Sequence, residues 1–213
     1  MGSENISFSN FLDSIKITLV GTTHPGNIGA SARAIKTMGF KQLDLVNPKD
    51  FPSDQAIYRS KAAKDILHKA SVHKTLLESV KGCELVIGTS ARNRKVPWPV
   101  LNPKDAAKEI QTQVRKNSKV AVVFGREDRG LTNEELGLCN LHVHIPTNQE
   151  YASLNLAQAV QIMTYEIRMR FLEFENLQNK QDWDVNLATS EQTERLISHM
   201  DELMREVEFY DTE

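Results

Sequence analysis

The stretch 145–174 constrains this chain most. From residue 154 onward its apolar residues recur with helical period, and they fall on two faces. Leu156, Val160, Met163, Ile167 and Phe171 share one side, and Leu154, Ile162, Tyr165, Met169 and Leu172 share another. A surface helix needs one apolar stripe, so a helix with two must be covered on both sides. Ahead of it Thr147, Asn148, Gln149, Ala152, Ser153 and Asn155 form a polar loop around Tyr151. A loop leading into a helix offers free N–H groups to a ligand. The plainer reading of the same stretch is a buried helix with a serine cap.

The upstream pattern sets the fold class. Residues 15–20 read as a buried strand, followed by the glycine-containing turn 21–29, a helix over 30–38 closed by Gly39, and a second strand over 42–46. Strand, turn, helix, strand is a βαβ unit, which predicts a parallel sheet in an α/β fold. Residues 53–80 read as helical, 85–87 as a strand, 103–115 as a helix with proline at its start, 119–124 as a buried strand and 141–145 as the last strand. Thr132 and Glu135 have capping-box spacing. The domain reading is a flexible N-terminus over 1–14, a main domain over 15–174, a polar linker over 175–190 and an amphipathic C-terminal helix over 191–213. That last helix carries Leu196, Met200, Leu203 and Val207 on one face, and alone it is marginal in water.

Composition narrows the partners. The net charge is −2, so any nucleic-acid contact has to use local patches. Arg92, Asn93, Arg94 and Lys95 beside Trp98 make such a patch, able to grip phosphates and stack a base; a solvated loop is the competing reading. The two cysteines, Cys83 and Cys139, form no CxxC and read as buried thiols of a reducing cytosol. No apolar run approaches the roughly 20 residues of a membrane span, and no signal peptide is visible. A cytoplasmic protein without a membrane segment is the expectation.

Three loops follow strands and combine glycine, small hydroxyl residues and charges: 88–95, 125–131 and 146–155. In an open parallel sheet, ligands bind at the carboxyl ends of the strands. Gly21, Gly26 and Gly29 do not make GxGxxG, and no P-loop follows, which speaks against a nicotinamide-dependent oxidoreductase. His142 and His144 alternate along a strand, but no third ligand sits at metal spacing, so no metal is expected. Asn27 and Arg33 are six residues apart; they reach the same end of the sheet only if Asn27 lies in the turn before the helix.

Read together, NIGASAR at 27–33, VFGREDRGL at 123–131, and Ile145-Pro146 followed by SLNLA at 153–157 resemble the three motifs of the SpoU/TrmH branch of the SPOUT methyltransferases. GTSAR at 88–92, PWP at 97–99, LTNEEL at 131–136 and Glu150-Tyr151 are similar to its TrmJ-type subgroup. The resemblance spans about 15–172. It implies a parallel-sheet SPOUT (α/β knot) fold with a deep C-terminal trefoil knot, plus a short C-terminal helical extension shortened from one used in tRNA binding. It also implies a homodimer, S-adenosyl-methionine as cofactor, and 2′-O-methylation of the pyrimidine nucleotide at position 32 of a tRNA anticodon loop. The implied cofactor residues are Thr89, Ser90, Ala91, Gly125, Ile145, Ala152, Ser153 and Leu154. The implied catalytic positions are Asn27, Arg33, Glu127, Ser153 and Asn155. The family's mechanism makes Arg33 the base, although arginine stays protonated at nearly any pH. Polarising the hydroxyl and holding a phosphate are its alternative roles. A catalytically silent RNA-binding module on the same fold is the other reading.

Overall fold

The computed structural model describes residues 8–90, 100–148, 150–174 and 188–209. Seven parallel strands form one sheet in the order β3-β2-β1-β6-β4-β7-β5. They are β1 (Ile15–Val20), β2 (Gln42–Val46), β3 (Ser71–His73), β4 (Leu85–Thr89), β5 (Val100–Leu101), β6 (Val120–Phe124) and β7 (Leu141–Val143). β1 and β6 lie at the centre; β6 reads as an unbroken apolar run because both its faces are covered, and β1 is buried apart from Lys16 and carries Thr18 among its apolar residues. Alternation along the strands divides the core. Ile17, Leu19, Leu45 and Val122 face one side, and Val20, Val46, Ala121 and Val123 face the other.

The first side carries α1 (Phe8–Asp13), α2 (Pro25–Thr37), α3 (Asp54–Ser60), α4 (Lys64–His68), α6 (Pro103–Val114) and α8 (Leu156–Phe174). The second carries α5 (Leu76–Val80) and α7 (Asn133–Gly137). α8 packs against both α2 and α6. Its first apolar face is buried as the periodicity implied: Leu156, Val160, Met163, Ile167 and Phe171 all enter the core. The other face is covered only in part. Ile162, Met169 and Leu172 are half-buried and Tyr165 is 47% exposed. Leu154 departs from this face altogether, since it precedes α8 and lines a cavity described below.

Several boundaries differ from those read off the sequence. The stretch 1–14 is not flexible throughout: Phe8–Asp13 is helical, because Phe11 and Leu12 are buried and the Phe11 ring lies 4.7 Å from that of Phe171. α2 begins at Pro25 rather than residue 30, so Asn27 sits in its first turn. Residues 53–80 are broken by a 3-10 turn at Lys61–Ala63 and by the edge strand β3. β7 ends at Val143 rather than residue 145, and the His144 N–H still donates to the Leu101 carbonyl of the neighbouring β5 at 2.9 Å. The strand order accords with the knotted topology that the resemblance implies.

One buried charge lies on the α5 side. Asp44 accepts from Lys16 at 3.2 Å, His73 Nε2 at 3.0 Å and the Ser79 hydroxyl at 2.9 Å. A carboxylate with three donors is satisfied despite its burial, and this one ties β1, β2, β3 and α5 together. Residues 178–213 form a second compact unit, whose helix α9 (Ser190–Glu206) is capped by a Thr189–Gln192 box.

Candidate active site

The site is assembled from three chain segments that meet at the carboxyl end of the sheet. The turn after β1 is pinned by Glu127, which comes from the loop after β6. One Glu127 oxygen accepts from the Thr23 N–H at 3.1 Å and the Thr23 hydroxyl at 3.0 Å; the other accepts from the His24 N–H at 3.3 Å and Asn27 Nδ2 at 2.9 Å. Asn27 Oδ1 in turn accepts from Asn155 Nδ2 at 3.0 Å. Asn155 also caps α8, its Oδ1 accepting the Ala157 N–H at 2.9 Å, so the cap of that helix is Asn155 rather than a serine. Glu127, Asn27 and Asn155 therefore form one hydrogen-bonded relay.

The relay stands beside a cavity of about 300 Å³, at the lower end of small-molecule sites. Thr89, Ser90, Gly125, Ile145, Ala152, Ser153 and Leu154 all line it, as do Glu127, Asp128 and the apolar Leu156 and Ala159. Ala91, the remaining expected cofactor residue, and the basic cluster of Arg92, Arg94 and Lys95 with Trp98 lie outside the described residues. Hydrogen bonds brace the part of the wall that follows β4. The Thr89 hydroxyl donates to the Val123 carbonyl at 3.0 Å, Ser90 N–H donates to Val143 at 2.9 Å, and His144 Nδ1 donates to the Ser90 carbonyl at 3.1 Å. His144 and His142, which donates to the Leu136 carbonyl at 3.3 Å, are thus used as structural donors.

The loop after β6 is a tight hairpin in which Arg126 and Gly130 exchange backbone hydrogen bonds. A β-carbon on Gly125 would collide with the Gly130–Leu131 backbone, so this position admits only glycine. The Arg126 side chain forks onto Glu135 with two bonds of 2.9 Å, and Glu135 also completes the Thr132 capping box of α7. The capping-box spacing was legible in the sequence, but this second partner of Glu135 was not. Arg126 and Glu135, which brace the hairpin at the cavity wall, were not among the site residues expected from the sequence.

Electrostatics divides the roles. Burial pushes the Glu127 carboxyl up, but the Asn27 amide and the Thr23 and His24 N–H groups outweigh it, and its pKa lies below the ordinary value. A carboxylate stabilised in this way is a weak base, so Glu127 holds its neighbours in place. Burial also opposes Glu135, and the Arg126 guanidinium wins, again lowering the pKa. Burial drives the Cys139 thiol up to about 12 and raises that of Cys83, so neither is a ready nucleophile. Arg33 stands apart. It is exposed on α2, and six helical positions put it about 120° around the axis from Asn27. The condition for a shared direction, Asn27 in a pre-helical turn, is not met.

A parallel α/β domain with a ligand-sized cavity at its strand ends, walled by three glycine- and hydroxyl-rich loops, defines the class of protein. The chain belongs to the SpoU methylase family: the SpoU rRNA Methylase family model matches residues 14–165. It is 46% identical over 209 residues to a tRNA (cytidine/uridine/adenosine-2′-O-)-methyltransferase TrmJ of Pseudomonas aeruginosa (strain UCBPP-PA14), covering 95% of this chain and 81% of that one. It is 48% identical over 198 residues to a tRNA (cytidine/uridine-2′-O-)-methyltransferase TrmJ of Sodalis glossinidius (strain morsitans), covering 91% and 75%. A probable methylase family protein from Haemophilus influenzae Rd KW20 superposes with a TM-score of 0.74 at 41% identity, over 94% of this chain and 83% of that one. Family membership sets aside the nicotinamide-dependent reading.

Proposed function

We propose that this chain is a tRNA 2′-O-methyltransferase that takes its methyl group from S-adenosyl-methionine and acts as a homodimer in the cytoplasm. The target we infer is the pyrimidine nucleotide at position 32 of the anticodon loop. The observation that carries the reading is the Glu127–Asn27–Asn155 relay, which joins the three family motifs beside the cavity. The names of the two tRNA-modifying relatives support the substrate class.

The cavity fits the cofactor. Ile145, Leu154, Leu156 and Ala159 supply apolar surface for a purine, and Thr89, Ser90 and Ser153 supply hydroxyls. Glu127 and Asp128 are the acidic groups of the lining, with Asp128 paired to Arg129, and would face the positive charge of the cofactor when it is bound. When bound, S-adenosyl-methionine supplies an activated methyl group, and the loss of the sulfonium charge on transfer makes an oxyanion hole unnecessary. The task left to the protein is alignment of the ribose oxygen. Asn155, the cap of α8, and Ser153 just before it orient that hydroxyl. Arg33 polarises it or holds the adjacent phosphate, since a guanidinium is a donor and not a base near neutral pH.

Arg33 faces away from Asn27 of its own chain, so a second copy is the natural recipient. The half-buried Ile162, Met169 and Leu172 with the exposed Tyr165 give α8 a self-complementary face for a two-fold partner. Completing the burial of the already half-buried Ile162 and Met169 contributes roughly 1 kcal/mol each. The test is label transfer: methyl label from the cofactor should appear in tRNA and not in ribosomal RNA. Label confined to ribosomal RNA would overturn the substrate assignment.

A further inference from the structure

Outside the cavity, one surface combines exposed aromatic and basic groups. Tyr58 is 68% exposed at the end of α3, and the Lys61 ammonium lies 3.9 Å from its ring centroid. Arg59 between them is exposed, and neither Arg59 nor Lys61 joins an ion pair among the described residues. Lys61 has φ 51°, a left-handed conformation that side chains resist and that persists where the surroundings enforce it. The Lys36 side chain does so from α2, donating to the Ala62 carbonyl at 2.8 Å and to Asp65 at 2.7 Å.

The position of this ridge is set by a close helix contact. α3 crosses α2 at Gly29, where a β-carbon would strike the Ala56 carbonyl and come within 2.9 Å of Arg59 Cβ. Gly26, one turn earlier, lies beside the Arg59 stem. Asn27 is the next residue and belongs to the relay beside the cavity. Arg33, one turn after Gly29, extends the basic line along the same side of α2. The ridge thus packs on the turn of α2 that carries Asn27.

We propose that Tyr58, Arg59 and Lys61 bind the RNA strand flanking the target ribose, with Tyr58 stacking on a base and the two cations on neighbouring phosphates. The proposal rests on the tRNA reading above. Charge complementarity favours this occupant: on a chain of net charge −2, two cations without an ion-pair partner among the described residues, beside an exposed tyrosine that has Lys61 over one face, are a local match for a polyanion with exposed bases.

The test is anisotropy of labelled tRNA against the full chain over a range of salt. Tyr58→Ala should weaken binding on the order of tenfold, and Tyr58→Phe should not. The double variant Arg59→Ala/Lys61→Gly should flatten the slope of log affinity against log salt by about 1.4, from two single-strand phosphates at about 0.7 each. Its cofactor affinity by calorimetry and its thermal midpoint should hold, because Arg59→Ala keeps the β-carbon against Gly29 and glycine suits the backbone of residue 61. Variants that match the wild type in affinity and slope, while the wild type methylates tRNA, overturn the ridge alone. A wild-type chain that neither binds nor methylates tRNA overturns the ridge and the reading beneath it.

Discussion

Asn155 Nδ2 donates to Asn27 Oδ1 at 3.0 Å across 128 positions of sequence. The same Asn155 caps α8 through its Oδ1, so one amide starts the long helix and ties it to the first turn of α2. Two substitutions separate these tasks. Asn155→Ser keeps a capping oxygen and loses the bridge, so stability should hold within a few tenths of a kcal/mol while methyl transfer falls. Asn155→Ala loses both and should cost about 1 kcal/mol as well. Chemical denaturation alongside initial rates checks this, and equal activity in the serine variant and the wild type would contradict it.

Glu127 makes the site sensitive to acid. Its folded pKa is lowered from an ordinary value of 4.5, so its contribution is complete above about 4.5 and is lost as pH falls through the lower folded value. Glu127→Gln cannot accept on both sides of the turn. Its stability deficit should be constant near neutral pH and vanish in strong acid. Thermal midpoints of the two proteins from pH 7 to pH 3 should converge; parallel curves would show that the Thr23, His24 and Asn27 bonds are not charge-assisted.

The Arg126–Glu135 fork should govern the cofactor more than the chemistry. Removing either side chain frees the 125–131 hairpin that walls the cavity, and Arg126→Lys cannot restore two parallel bonds. A double-mutant cycle on stability should give a coupling of about 1.5–3 kcal/mol. The single variants should show a raised KM for the cofactor with kcat less affected.

The division of the site between subunits is testable by mixing. A charge at Ile162 should split the dimer and lower activity. Arg33→Ala and Asn155→Ala chains, each inactive alone, should regain activity when combined, because a mixed dimer holds one intact pairing of Arg33 with the other copy's Asn155. No recovery in a verified mixed dimer would place both residues in one chain's site.

What could be read from the chain followed from periodicity and residue type. The buried face of α8 was legible because its five core positions repeat at helical spacing, β6 because both its faces are apolar, and β1 because Ile15, Ile17 and Leu19 alternate along it. The edge strands β3 and β5, of three and two residues, are too short to carry a period. The start of α2 was hidden by Pro25-Gly26, which reads as a turn although proline suits the first helical position. α1 depends on Phe11 meeting Phe171, a tertiary contact no local pattern announces. The expected cofactor residues within the described chain all reached the cavity wall. The relay was not legible, because the motifs name Asn27, Glu127 and Asn155 without saying that they bond to one another.

The most direct measurement is nucleoside mass spectrometry of tRNA incubated with the chain and methyl-labelled cofactor, mapped by nuclease digestion. The account predicts one labelled 2′-O-methylpyrimidine at position 32, absent with Arg33→Ala although that variant still binds cofactor. Label on a base, label at another position, or full labelling by the Arg33→Ala chain would contradict it.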